Sequence, residues 1–241
     1  MQKCVEGERR KKEEVVEMLS FASHQMKSPL AAIMGYAEMV YLGETGPISR
    51  KQRRVVGTMC RATENLSRIV DDFLDISIVE QGGLRYEMDR FDMAILAKEI
   101  VCAVSMRMQG KRCQISIEVD GRMPYSVLGD REKVRHVFIN LIDNAIRHTP
   151  RGIIRVRIFK DRSGGVCCSV ADTGGGILPE DLLAIFRKFR QGRGGRATSG
   201  GSGLGLYLSK IIVSAHGGRI WAESGGLGKG AAFTVVLPAS A

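Results

Sequence analysis

The chain has 241 residues, enough for one large domain or two modest ones. Its 44% hydrophobic content is that of a globular protein, no run approaches the roughly 20 apolar residues that cross a bilayer, and the mixed-charge start from Met1 to Glu14 lacks the apolar stretch of a secretory signal. The formal net charge of +10 raises nucleic acid as a partner, yet the basic residues are spread along the chain and form no helix-turn-helix or zinc-finger pattern, so no nucleic acid is expected.

The N-terminal third reads as two long helices. The first runs from about Arg9 to Leu42, with Leu19, Ala22, Met26, Leu30, Ile33, Ala37 and Val40 separated by threes and fours. Gly43-Glu44-Thr45-Gly46-Pro47 breaks it, and Ser49 is placed to cap the next helix. That helix runs from about Arg50 to Glu80. Val55, Met59, Ala62, Leu66, Ile69, Phe73 and Ile76 step by fours and threes, which is a heptad seam. Gln81-Gly82-Gly83 ends it. One hairpin with one apolar stripe has little to bury it against, so pairing with a second copy into a four-helix bundle is expected. Packing on the chain's own C-terminal domain is the alternative.

From Leu84 helices and strands mix. Helices are expected at Phe91–Gln109, Asp130–His148, Pro179–Lys188 and Ser202–His216. Strands are expected at Gln114–Asp120, around Ile154–Ile158, and at Val166–Ala171, Arg219–Glu223 and Ala231–Leu237. The pattern predicts a sheet with helices on one face. Gly192 to Gly205 is the longest segment without core residues and is predicted to be mobile. Six cysteines, Cys4, Cys60, Cys102, Cys113, Cys167 and Cys168, form no C-x-x-C pair and read as reduced structural thiols.

Three short motifs carry chemistry. Asp172-Thr173-Gly174-Gly175-Gly176 follows a strand, putting a carboxylate acceptor beside backbone that a flat ring can approach; a purine amino group suits it, although such a sequence also makes an ordinary turn. Gly200-Gly201-Ser202-Gly203-Leu204-Gly205-Leu206 opens a helix, where bare N–H groups and the helix dipole favour a phosphate. It is neither a Walker A loop nor a dinucleotide fingerprint. Asn140 and Asn144 share one face of the Asp130–His148 helix; their amide oxygens suit Mg²⁺, or else they are buried amides satisfied by backbone.

In this order the three motifs resemble the N, G1 and G2 boxes of the GHKL ATPases, with Phe186-Arg187-Lys188-Phe189 like the F box and Gly228-Lys229-Gly230 like the closing turn. Phe21-Ala22-Ser23-His24-Gln25-Met26-Lys27-Ser28-Pro29-Leu30 resembles the H box of HisKA-type histidine kinases. A proline inside a helix costs about 3 kcal/mol; the resemblance gives Pro29 a reason, a kink that frees backbone near the phosphoacceptor.

The resemblance implies a hairpin, dimerised as a four-helix bundle, followed by an α/β sandwich of the GHKL (Bergerat) type. Its domains would be 1–14, a coiled-coil lead-in; 15–83, dimerisation and histidine phosphotransfer; and 84–241, the ATP-binding domain. It implies ATP and Mg²⁺, autophosphorylation of His24, transfer to an Asp of a response regulator, and an upstream sensor outside this chain. The place would be the cytoplasm, including the cytoplasmic part of a membrane-bound sensor. Asp172 would hold adenine with Gly174, Gly176 and Phe189 around it, and Asn144 with Asn140 would hold Mg²⁺. Arg147, Gly201, Gly203, Gly205 and Leu206 would meet the phosphates, and His148 would flank the base or ribose.

One departure stands out. The family carries Glu or Asp after the histidine where this chain has Gln25, which accepts a hydrogen bond but takes no proton near neutral pH. Ser28, one turn after His24 on the same face, would position a water for dephosphorylation. Gln25 also supports a rival, a pseudokinase or phosphatase that binds ATP and a response regulator. A gyrase-like hydrolase is disfavoured, because that group uses Glu where this chain has Asn140.

Overall fold

The computed structural model describes residues 2–80, 86–108, 112–121, 124–190 and 203–240; of several residues in the first helix, His24 among them, only the backbone is described. The chain divides into two compact units, Met1–Arg85 and Tyr86–Ala241.

The first unit is a helical hairpin of α1 (Gln2–Leu42) and α2 (Arg50–Glu80). Helix α1 continues unbroken through Pro29. Ser49 caps α2 as its sequence predicts: its Oγ accepts from the Gln52 N–H at 3.2 Å and Gln52 Oε1 accepts from the Ser49 N–H at 2.8 Å. This reciprocal pair satisfies two donors that the helix end would otherwise strand. Near the turn Gly57 lets α2 approach the Tyr41 ring. Further along, Lys27 pairs with Asp71 at 2.8 Å. Only Ala37, Leu74 and Ile76 are buried apolar residues among those described in the hairpin.

The second unit is a sandwich. A five-stranded sheet runs in the order β2 (Cys113–Val119), β4 (Gly152–Lys160), β5 (Val166–Asp172), β7 (Ala231–Leu237), β6 (Arg219–Glu223). Only β2 and β4 are parallel. Helices α3 (Met93–Arg107), α4 (Arg131–His148) and α5 (Gly205–Ala215) contact the sheet. Strand alternation turns Ile154, Val156 and Ile158 inward with Cys168, Val170, Phe233, Val235 and Leu237, all buried. On α4 the buried stripe is Val134, Val137, Phe138, Leu141, Ile142 and Ala145, the spacing of one helix face. The other sheet face carries Arg155 paired with Glu118 and Arg157 paired with Asp120. Burial pushes the Cys167 thiol up to about 11 and the Cys168 thiol higher still, so both are inert core groups.

Three expectations are corrected. Pro179–Lys188 is not one helix but two single 3₁₀ turns, Pro179–Asp181 and Ala184–Phe186. Phe186 is drawn edge-on against Phe233, ring centroids 6.4 Å apart, and Arg187 then leaves in extended conformation. Phe91 lies in a strand, β1 (Asp89–Asp92), paired with β3 (Ser126–Gly129); this ribbon was not anticipated. Asp92 fixes the start of α3 by accepting from Ala94 and Ile95 N–H. The last helix begins at Gly205 rather than Ser202. The Gln81-Gly82-Gly83 stop, the 83/84 boundary and residues 191–202, Gly201 included, lie outside the described residues.

Candidate nucleotide and phosphoacceptor site

Asp172 is the last residue of β5, paired between Ile154 and Ala231. It shares the parity of Val170 and Cys168, so its carboxylate enters the sandwich interior. One oxygen accepts the Gly174 N–H at 2.8 Å; the other takes no hydrogen bond from the described residues. A buried carboxylate half-used in this way suits an external donor.

The glycines after Asp172 are clamped from two sides. Gly175 N–H donates to His148 O at 3.2 Å, at the end of α4. Gly228 N–H donates to Gly175 O at 2.8 Å and Gly230 N–H to Gly174 O at 3.2 Å, from the turn between β6 and β7. Ser224 locks that turn: its Oγ donates to Gly230 O at 2.6 Å and accepts the Ile177 N–H at 3.0 Å. A Cβ on Gly174 would overlap His148 O. One on Gly176, whose φ is +70°, would overlap Gly226 O. The glycines are therefore dictated by packing as well as by any ligand.

Asn140 and Asn144 lie on one side of the buried stripe of α4, both half-buried. Asn140 Nδ2 donates to Ser209 Oγ at 2.9 Å, and a Cβ on Gly205 would strike Asn140 Oδ1. Asn140 thus holds α5 against α4. Among the described residues no side chain caps the first turn of α5, whose N–H groups suit an anion. Leu206 is half-buried in that turn, and Gly203 O accepts the Phe189 N–H at 3.0 Å. Phe189 is exposed and has a φ of +57°. Lys188 sits over the Tyr207 ring at 5.3 Å, joining the turns to α5.

His148 is exposed at the end of α4, beside Arg147. The surrounding protein and then the Arg147 charge lower its pKa below the ordinary histidine value, with Asp172 opposing. Its open surface limits the size of that shift. In the first unit Gln25, Ser28 and Pro29 are all exposed on α1, and His24 is placed by its backbone alone.

Residues 14–82 match the His Kinase A (phospho-acceptor) domain family, and residues 129–241 match the histidine kinase-, DNA gyrase B-, and HSP90-like ATPase family. The chain belongs to the histidine kinases. Its two matched regions are a helical hairpin followed by the ATPase fold. The circadian input-output histidine kinase CikA of Synechococcus elongatus is 30% identical over 92% of this chain. Full-length ShkA, solved in complex with AMPPNP, superposes with a TM-score of 0.72 at 28% identity over 93% of the chain. The mycobacterial sensor kinase MprB matches 63% of the chain and 97% of its own solved length, with a TM-score of 0.54 at 26% identity. The kinase chain spans 30% of CikA and 46% of ShkA.

Within the histidine-kinase ATPase unit, sequence reasoning missed Ser209, Ser224, Thr149 and His216. Thr149 is buried beneath Gly174. Ser209 lies one turn after Gly205, a spacing that could have marked it as facing the same neighbour. Ser224 and Thr149 had no such signal, because their partners come from distant parts of the chain.

Proposed function

We propose that this kinase core transfers the γ-phosphoryl group of ATP to His24, and that the group then passes to an aspartate of a response-regulator receiver domain. The observation that carries this reading is the half-used carboxylate of Asp172 facing the interior beside Gly174 and Gly176, where a Cβ would overlap backbone, on the same chain as the His24–Pro29 helix. Asp172 would accept from the adenine amino group. The start of α5, with Gly203, Gly205 and Leu206, and the Arg147 guanidinium would face the phosphates. His148, held toward its neutral form, would flank the base or ribose, with Phe189 at the rim.

The described residues hold no cluster of three or more His, Cys, Asp or Glu for a metal. An ion bound here would be ligated by amide and phosphate oxygens, which fits Mg²⁺ carried with the nucleotide. Asn144 is the stronger candidate ligand, since Asn140 turns its nitrogen to Ser209 and packs its oxygen against Gly205. Bound there, Mg²⁺ would neutralise phosphate charge. The protein's own work is positioning. A neutral imidazole has a lone pair on one ring nitrogen, so an N–P bond forms as the bond to ADP breaks, with no proton removal needed first. Gln25 therefore slows the reaction without forbidding it.

We further propose that the active form is a homodimer, with 15–83 as the dimerisation and phosphotransfer domain and 84–241 as the catalytic domain. Its sensor would lie in sequence beyond this core, as the greater length of its relatives suggests. Among the described residues no helix is long and apolar enough to cross a membrane.

Incubation with γ-labelled ATP and Mg²⁺ tests the reading. Wild type is expected to acquire acid-labile, alkali-stable label, and His24→Ala to acquire none. An unlabelled wild type that binds ATP normally, and that Gln25→Glu does not rescue, would establish the pseudokinase instead.

A further inference from the structure

Helices α4 and α5 carry opposite walls of the proposed phosphate site, and two pins hold them together. One is at the nucleotide end, where Asn140 meets Ser209 and Gly205. The other lies ten residues back along α4, about 15 Å away. There His216, buried at the end of α5, reaches the first residue before α4. Its Nε2 is 2.8 Å from the Asp130 backbone N and its Nδ1 is 2.7 Å from Ile212 O. A backbone N–H only donates and a carbonyl only accepts, so the proton sits on Nδ1 and the lone pair on Nε2. Both ring nitrogens are used.

The surroundings leave the ring no other place. A Cβ on Gly129 would come within 2.5 Å of His216 Cδ2, and the Tyr86 ring meets the imidazole edge-on at 5.2 Å. Asp130 is itself fully engaged. Its carboxylate caps α4 through Glu132 and Lys133 N–H and accepts the Glu87 N–H at 3.2 Å. His216 therefore ties the end of α5 to the residue that caps α4.

We propose that His216 is a positioning residue for nucleotide binding: by pinning the far ends of α4 and α5 it keeps Asn140 against Gly205 and Ser209 at the near end. The role rests on the ATP-binding reading given above. The two helices run antiparallel, so slack at the His216 end becomes tilt or slide at the phosphate end. Loss of the Nε2 acceptor leaves a buried N–H unpaired, which helix movement would relieve.

Binding of Mg-ATP to the full chain tests this, with wild type, His216→Asn and His216→Gln. The asparagine keeps a donor toward Ile212 O but has nothing to offer Asp130, and its Kd should rise about tenfold. The glutamine puts an acceptor where Nε2 stood and should stay within about threefold of wild type. At saturating ATP both should label His24 at the wild-type rate, since binding is affected and transfer is not. Asparagine and glutamine variants that bind alike, or both at wild-type strength, would overturn the role. Amide exchange on wild type gives an arm independent of the variants' folding. By reciprocity ATP should slow exchange at the Asp130 N–H, and unchanged exchange there would also overturn it. A wild type that binds no ATP would remove the function reading itself, and this proposal with it.

Discussion

The hairpin and the ATPase sandwich solve burial in opposite ways. In the sandwich the sheet and three helices bury Phe138, Leu141, Ile154, Ile158, Leu208 and Leu237 almost completely. In the hairpin the heptad residues Val55, Met59, Leu66 and Phe73 are each about half exposed, between 49% and 54%. On α1 Met26 and Ile33 are comparably open. Fully burying such a side chain is worth roughly 1.5–3 kcal/mol. The sandwich collects that energy from its own residues, whereas the described hairpin, taken by itself, does not. The two halves should therefore respond to different perturbations.

The largest expected effect is on assembly. Leu66→Asp together with Phe73→Asp should convert a dimer to a monomer in sedimentation, because each carboxylate would be buried unpaired in the seam. ATP binding should be unchanged. A wild type that sediments as a monomer at micromolar concentration would refute the bundle.

The converse perturbation belongs to the sandwich. Asp172→Asn should weaken ATP by about 1.5–3 kcal/mol, roughly 10–150-fold, with the dimer intact. Calorimetric titration decides it: equal affinity in the two proteins would remove Asp172 from adenine recognition.

A smaller effect lies at the phosphoacceptor. General-base help is worth about 10²–10⁴-fold for ordinary nucleophiles, but an imidazole lone pair needs less. Gln25→Glu should speed labelling of His24 by about tenfold, with ATP affinity and assembly unmoved. A rate equal to wild type would show that the acid contributes nothing here.

The smallest effect is electrostatic. The pKa of His148 is lowered in the fold, so the unfolded chain binds a proton more readily. The stability from a neutral His148 is therefore present above the unfolded value of about 6.5 and is lost as pH falls through it. The urea midpoint of wild type should fall slightly more than that of His148→Gln between pH 7.5 and 5.5. Parallel falls would count against the shift.

The two halves also differed in how far sequence disclosed them. The hairpin was legible in its turn and in α2, although α1 begins at Gln2 rather than at about Arg9. Its helix ends depend on neighbours three and four positions away, as in the Ser49–Gln52 cap, and α2 runs over the expected Arg50–Glu80. In the sandwich the main strands followed from alternation, but the β1–β3 ribbon did not. Its two strands have four residues each and are far apart in the chain, too short for periodicity to show. The Pro179–Lys188 segment looked helical because its apolar residues are suitably spaced. The contact of Phe186 with Phe233, remote in sequence, accompanies a tighter course.

The sequence by itself determined the main elements, their order, and the residue types that nucleotide and phosphoryl chemistry require, because these depend on local spacing. Only the tertiary structure decided what each glycine meets, which oxygen of Asp172 accepts the Gly174 N–H, and that Asn140 leans on Ser209. It alone brought His216 to Asp130, 86 residues earlier. Those outcomes turn on contacts between segments that the chain brings together only when the sheet closes over its helices. No local pattern encodes them.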